Sequence, residues 1–421
     1  MSLALLTDRY ELTMVQAALH SGKAERQCVF EAFTRSLPLG RRYGVLAGTG
    51  RLLEAITNFK FEKQDIEYLR ESRVVDERTL DYLSNYKFDG KIEGYQEGDL
   101  FFAGSPVFTV TGTFAQAVVL ETLILSILNH DSAVASAAAR MFSVAKGRSL
   151  VEMGSRRTQE LSAVAAARAA YIAGFDATSN LEAGRLYGIP TMGTSAHSFT
   201  LLHDSEEQAF KAQIEALGVN TTVLVDTYDI KKAVALAVKL TDGKVAAVRI
   251  DSGDLATTAL EVRQQLDSLG AKETKIVLTS DLDEYTIAAL ASSPVDRFGV
   301  GTSVVTGSGF PTVGFVYKLV AHKSGNSWVD VAKKSKNKIS LGGKKIAYRE
   351  IKDGLASAEL IGKKSGRKLQ ATLFDGVSDP TLIGQLGTRK AKEHFLKAIS
   401  ELKPDALRLS KGEAAIPTIY N

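Results

Sequence analysis

Two hydrophobic periods alternate through the middle of the chain. Short apolar or β-branched runs occur at Leu150 to Met153, Gly174 and Phe175, Ile189 to Met192, Thr222 to Val225, Val245 to Ile250, Lys275 to Thr279 and Arg297 to Val300. Between them lie stretches with helical spacing: Leu161 to Ala173, Leu181 to Tyr187, Ser205 to Leu217, Lys231 to Leu240, Thr257 to Leu269 and Glu284 to Ala291. Runs too short for helices, separated by segments long enough to cross back over a sheet, read as seven βα-like units. They predict a parallel sheet, open or closed into a barrel. No ordinary dinucleotide fingerprint follows the first run, so the barrel is the preferred form.

The flanking regions follow other patterns. Residues 1 to about 25 predict a helix, with Thr7 or Asp8 as its cap and Glu11, three residues after Asp8, as the capping-box partner. Val29 to Phe33 reads as a strand, residues 48 to 86 as helical, and residues 91 to 114 as β structure broken by Gly98, Gly104 and Pro106. An alanine-rich helix is predicted from about Gln116 to Lys146. Beyond Val305 the alternation stops, and residues 313 to 350 read as hairpins turning at Ser324-Gly325-Asn326 and Gly342-Gly343. They are expected to return to the N-terminal β region, before a final helix from about Arg389. Three segments are expected: an N-terminal α/β domain at 1–135, an α/β barrel at 136–312, and C-terminal strands and a helix at 313–421 that pack back on the first.

Composition narrows the picture. At 421 residues the chain is long for one core. A single cysteine, Cys28, excludes an internal disulfide and a cysteine-based zinc site and fits a reducing compartment. Leu3 to Leu6 is too short and unflanked for a secretory signal, and Ala117 to Leu128, interrupted by Glu121, is too short to span a bilayer. A cytoplasmic enzyme without a membrane partner is expected. The net charge of +4 is uneven, because residues 318 to 368 hold 14 basic against 4 acidic side chains. With few aromatics interleaved, this block reads as a solvated lysine-rich surface, or a field for phosphorylated substrates, rather than a nucleic-acid interface.

The candidate chemistry lies where each run ends: Gly154-Ser155-Arg156-Arg157, Asp176 to Asn180, Gly193-Thr194-Ser195-Ala196-His197, Asp226 to Asp229, Asp251-Ser252-Gly253-Asp254, Ser280 to Asp283 and Gly301-Thr302-Ser303. In a βα barrel these ends share one rim, where active sites are built. Some of these Asp and Ser residues are expected to be helix caps. Arginine forks and glycine-rich amides suit phosphate oxygens, and carboxylates suit ribose hydroxyls or Mg²⁺. A rim histidine can act as base or as nucleophile toward a phosphoryl group. Together they point to a phosphorylated sugar, as its pyrophosphate.

Five ordered motifs then carry a resemblance. Leu5 to Met14, Gly193 to Ser198, Leu224 to Tyr228, Arg249 to Asp254 and Gly301 to Thr306 are similar to nicotinate phosphoribosyltransferases, over Leu5 to about Val320. The resemblance implies a type II phosphoribosyltransferase fold: an irregular (β/α) barrel beside an N-terminal α/β domain to which C-terminal strands return. It implies a homodimer with shared sites, and the joining of nicotinate to 5-phosphoribosyl 1-pyrophosphate with ATP hydrolysis coupled and Mg²⁺ required. By resemblance His197 is phosphorylated, Tyr10 reaches the pyridine ring of the partner subunit's site, and Thr194, Ser198 and Arg249 belong to the nicotinate motifs. Arg249 would meet the nicotinate carboxylate or a phosphate, or pair with Asp251 inside the barrel. Asp251 is a candidate for the ribose hydroxyls, Gly301 and Thr302 for the 5-phosphate, and Arg156 and Arg157 for pyrophosphate. Asp226 and Asp281 are candidates for substrate binding or for structural capping.

Two departures bear on this. Arg9 stands where an apolar or small residue is common, and the cysteine-rich metal sites of some relatives are absent. Nicotinamide-using siblings carry an acid near the Gly-Thr turn, and Gly193-Thr194-Ser195 has none, which favours nicotinate. A sibling using nicotinamide or quinolinate, and a non-catalytic phosphosugar- or nucleic-acid-binding protein using 318 to 368, are the alternatives.

Overall fold

The computed structural model describes residues 3–333 and 341–420. The chain divides into two compact units, Met1–Ser136 with Phe310–Asn421, and Ala137–Gly309.

The second unit contains a six-stranded sheet, paired in parallel throughout, in the order Ala177–Thr178, Ser149–Glu152, Arg297–Val300, Lys275–Leu278, Ala247–Ile250, Thr222–Leu224. The last strand in sequence lies beside the first, as Phe298 against Leu150. Thr191 extends the sequence order by one further parallel bridge, to Thr178. This cyclic order is that of a barrel, curled but incomplete, as the alternation predicts. Its strands are short and almost wholly buried, which is why they read as continuous apolar runs.

Two predicted strands need correction. Gly174 and Phe175 form the turn into the barrel, with Gly174 at φ +105°, and the strand is Ala177–Thr178. A two-residue strand inside a polar cluster carries no apolar period. Ile189 to Met192 contributes only the Thr191 bridge.

The first unit is built on a six-stranded antiparallel sheet, ordered Ser327–Asp330, Phe315–Ser324, Gln27–Thr34, Phe108–Thr113, Lys91–Tyr95, Gln370–Asp375. C-terminal strands flank the three N-terminal ones on both sides, as expected. A second sheet joins Ala347–Lys352 to Leu355–Ile361, with Arg367–Lys368 and Thr418–Tyr420 at its edges. Gln27–Thr34 is central and buried on both faces, so it lacks the alternation of a half-exposed strand. Glu31 within it is buried and pairs with Lys345 (2.7 Å).

The helical reading of 48 to 86 resolves into Thr49–Thr57, Lys63–Glu71 and Glu77–Ser84. The last helix is Gly384–Ser400, five residues earlier than Arg389. The first is Arg9–His20, preceded by Asp8, but the Asp8 side chain makes no cap hydrogen bond. Glu11 turns inward instead and accepts from the Thr122 amide (2.9 Å), from Thr122 Oγ1 (2.5 Å) and from the Thr7 hydroxyl. Burial outweighs these donors and pushes the Glu11 carboxyl up to about 7.

The stretch Phe114–Ala145 is longer than the apolar segment expected and would suffice to cross a membrane by length and composition. Its most apolar window is 61% buried inside the protein, with Leu120, Ile124 and Leu128 in the core of the first unit.

Within the basic block, Lys344 pairs with Glu93, Lys345 with Glu31, Arg349 with Glu359 and Arg367 with Glu401. Glu93, Glu31 and Glu401 lie outside the block and Glu359 within it, while Lys323, Lys352, Lys363, Lys364 and Lys368 are exposed, so part of the block is a solvated lysine-rich surface and part is paired. Residues 334–340 of the block lie outside the described residues.

Candidate active site

A cleft of about 450 Å³ opens where the barrel strands end. Ser149–Glu152 leads to Met153, Arg156 and Arg157 on its wall, and the loop before helix His197–Leu202 supplies Met192 through His197. Arg249 and Asp251 come from the end of Ala247–Ile250, Thr279 to Asp281 from Lys275–Leu278, and Gly299, Gly301 and Thr302 from Arg297–Val300. The convergence on one rim follows from parallel strands of equal hand, whose carboxyl ends face one way.

The Asp and Asn side chains after these strands include two classes. Asn180, Asp229, Asp254 and Asp283 cap helices, accepting from the amides of Ala183, Lys232, Thr257 and Thr286. Asp226, Asp251 and Asp281 do not cap. Asp281 is exposed in the cleft. The Asp226 side chain is 1% exposed and stands behind the cleft, within 3.0 Å of His197 Nε2. It also accepts from the Asp251 amide (2.9 Å) and the Ser252 hydroxyl (2.6 Å). Asp226 thus ties the histidine to the neighbouring strand end.

Arg249 is the most connected cation of the cleft. Its Nε donates to Thr279 Oγ1 (2.9 Å), Nη1 to Thr194 Oγ1 (3.0 Å) and Nη2 to Asp251 Oδ1 (2.9 Å). Thr279 also donates to Asp251. Burial would raise the Asp251 carboxyl, but the bonds from Thr279 and Arg249, with the nearby charges, hold it below its usual value. The ion pair left open by the sequence is therefore formed. Arg156 and Arg157 also line the cleft and are exposed. Ser280 is held at φ +100°, a conformation that costs a non-glycine residue of the order of 1–3 kcal/mol.

Nine of the twelve sequence candidates line this cleft: Arg156, Arg157, Thr194, His197, Arg249, Asp251, Asp281, Gly301 and Thr302. Asp226 backs it, and Ser198 is exposed on the helix turn beside His197. Tyr10 lies in the other unit and is 45% exposed, so it is not a core residue of its helix. Partial burial, with Glu121 and Glu11 beside it, raises its phenol. Thr279, Met153 and Met192 were not foreseen as site residues. Thr279 ends a predicted strand next to Ser280-Asp281, and that position was its one available signal.

Two family models match the chain: the nicotinate phosphoribosyltransferase N-terminal domain over residues 5–129, and the nicotinate phosphoribosyltransferase family over residues 148–355. The chain belongs to the nicotinate phosphoribosyltransferase family. A nicotinate phosphoribosyltransferase of Mycobacterium tuberculosis is 50% identical over 428 aligned positions, covering 98% of this chain and 94% of the relative. One from Bacillus subtilis is 37% identical over 361 positions, covering 83% and 74%. The crystal structure of human nicotinic acid phosphoribosyltransferase superposes with a TM-score of 0.84 at 24% identity, covering 99% of this chain and 97% of that one, which establishes the family's fold here. Every motif that carried the sequence resemblance lies within the two matched segments.

Proposed function

We propose that this protein joins nicotinate to 5-phosphoribosyl 1-pyrophosphate, giving nicotinate mononucleotide and pyrophosphate for NAD biosynthesis by salvage. The observation that carries the reading is one cleft holding His197, the Arg249–Asp251 pair and the Arg156–Arg157 wall. The half-identical relative, named for this activity, supports it.

The nicotinate ring nitrogen forms a bond to the anomeric carbon, and pyrophosphate leaves with the electron pair of the broken C–O bond. The pyridine carboxylate lies at Arg249 and Thr194, and the ribose hydroxyls at Asp251. The 5-phosphate rests on Gly301 and Thr302, and Arg156 and Arg157 receive the pyrophosphate. Positive charge develops at the anomeric carbon, so positioning and charge stabilisation account for catalysis without a covalent sugar intermediate. Mg²⁺, when bound, neutralises charge on the leaving group. Asp281, an exposed oxygen donor in the cleft, would hold it together with phosphate oxygens, the mixed coordination Mg²⁺ favours.

ATP enters as a second substrate. With Nε2–H of the neutral ring donated in a hydrogen bond to Asp226, His197 keeps the lone pair on Nδ1, and Nδ1 takes the γ-phosphoryl group as ADP departs, the Asp226 carboxylate offsetting the charge on the ring. Water later cleaves the phosphohistidine to phosphate. The added charge reorganises the rim while substrates are held. The working unit is a homodimer in which Tyr10 serves the partner's site, in keeping with its exposure. A nicotinamide-using reading is disfavoured because Gly193, Thr194 and Ser195 bring no acid to the cleft.

The test is nicotinate mononucleotide formation with Mg²⁺, with and without ATP, in wild type and His197→Ala. ATP should raise product only in the wild type. Equal stimulation in His197→Ala removes the phosphohistidine, and no product from nicotinate, with product from nicotinamide or quinolinate, removes the substrate assignment.

A further inference from the structure

We propose that Thr279 is a positioning residue: keyed into the gap left by Gly299, it holds the Arg249–Asp251 pair in the orientation that receives substrate. The inference rests on the activity proposed above and deepens it.

Thr279 is 4% exposed and follows directly on strand Lys275–Leu278. Its hydroxyl does two things at once. It accepts from Arg249 Nε at 2.9 Å and donates to Asp251 Oδ1. Arg249 Nη2 reaches the same Asp251 oxygen at 2.9 Å, so three side chains close a ring of hydrogen bonds. The far side of the guanidinium is held by Thr194 Oγ1 at 3.0 Å. Nε is the nitrogen nearest the flexible arginine stem. Anchoring it fixes the plane of the fork, and a fixed plane is what a carboxylate or phosphate needs for two parallel hydrogen bonds.

The methyl group sets the direction of that hydroxyl. A Cβ on Gly299 would lie 2.7 Å from Thr279 Cγ2 and 2.7 Å from Met153 Sδ, closer than real contacts allow. The Thr279 methyl therefore occupies space that any residue other than glycine would claim. A β-branched side chain has few χ1 choices, so seating the methyl there aims the hydroxyl at Arg249 and Asp251. Gly299, Thr279 and the charged pair form one mechanical chain across three adjacent parallel strands.

Substitutions separate the two halves of the side chain. Thr279→Val keeps the methyl and deletes the hydroxyl. Thr279→Ser keeps the hydroxyl and loses the methyl. With saturating 5-phosphoribosyl 1-pyrophosphate, Thr279→Val should raise KM for nicotinate roughly tenfold or more, the scale of a small misplacement of binding groups. Thr279→Ser should recover most of that loss. Gly299→Ala should displace Thr279 and reproduce the rise. A merely structural role would lower the unfolding midpoint and kcat through the active fraction and leave KM alone, and that result overturns the proposal. So does Thr279→Ser as impaired as Thr279→Val. Crystals of Thr279→Val give a readout that needs no activity: Arg249 should leave its joint contact with Thr194 and Asp251. An unmoved Arg249 overturns the positioning role even if nicotinate is confirmed as substrate. A moved Arg249 supports it even if the wild type makes no nicotinate mononucleotide.

Discussion

Arg349 and Arg249 both lie within β-strands and both pair with carboxylates, yet their surroundings differ. Arg349 is fully buried in the first unit, paired with Glu359 at 2.9 Å and Asp99 at 3.6 Å and bonded to the Leu100 carbonyl. Tyr95 and Ser105 donate to Glu359, and His394 lies 3.1 Å from Asp99. The Phe102 ring covers the guanidinium at 5.4 Å. Its acid partners come from the protein, and Arg349 itself has no exposed surface. In the second unit Arg249 faces a cleft that Arg156 and Arg157 also line, both exposed. Charge closed on itself inside a core organises the fold. Charge presented at strand ends, half surrounded by its own acids, is prepared for a ligand that completes the set.

The comparison can be broken at its strongest point first. Arg349→Met leaves Asp99 and Glu359 buried without their cation and should cost about 3–5 kcal/mol of unfolding free energy, read by chemical denaturation. A loss below about 1 kcal/mol would mean that the buried cluster does not organise the first unit. Arg156→Ala and Arg157→Ala should do the reverse. Unfolding free energy should stay within about 0.5 kcal/mol of wild type, while KM for 5-phosphoribosyl 1-pyrophosphate rises about tenfold or more, the weight of a hydrogen bond to a charged group. A stability loss with unchanged KM would put these arginines in the structural class.

A third prediction concerns pH. Glu11 has a folded pKa of about 7 against a usual value of 4.5. The folded state therefore holds its proton longer than the unfolded state. The contribution is fully present below pH 4.5 and is lost as pH rises toward and through 7. Glu11→Gln cannot ionise, so the fall in melting temperature between about pH 5 and 7 should be shallower than in wild type. Parallel curves would show that Glu11 does not titrate in this range.

Legibility followed the same division. The βα alternation identified the barrel because each strand is short, apolar and buried along its length. It failed at Ala177–Thr178, where the buried Thr178 serves as a hydrogen-bond donor to Glu152 rather than as an apolar residue. Nearly all the cleft's charged residues were legible, because they end strands. Asp226 was legible as polar but not as the partner of His197, and Thr279 was hidden as the tail of an apolar run. In the lysine-rich block the local charge was evident, but the acids that pair Lys344, Lys345 and Arg367 lie elsewhere in the chain and could not be read from it.

The sequence by itself determined the repeating units, the strand ends that carry polar residues and the motifs that mark the family. These depend on period and order, which are local. Only the tertiary structure decided which acids cap helices and which face the cleft, that Glu11 turns inward instead of capping, and that a hydroxyl at 279 binds Arg249 to Asp251. A side chain's role depends on which partner lies within hydrogen-bonding distance, and in a barrel those partners come from neighbouring strands some 30 residues apart in the chain.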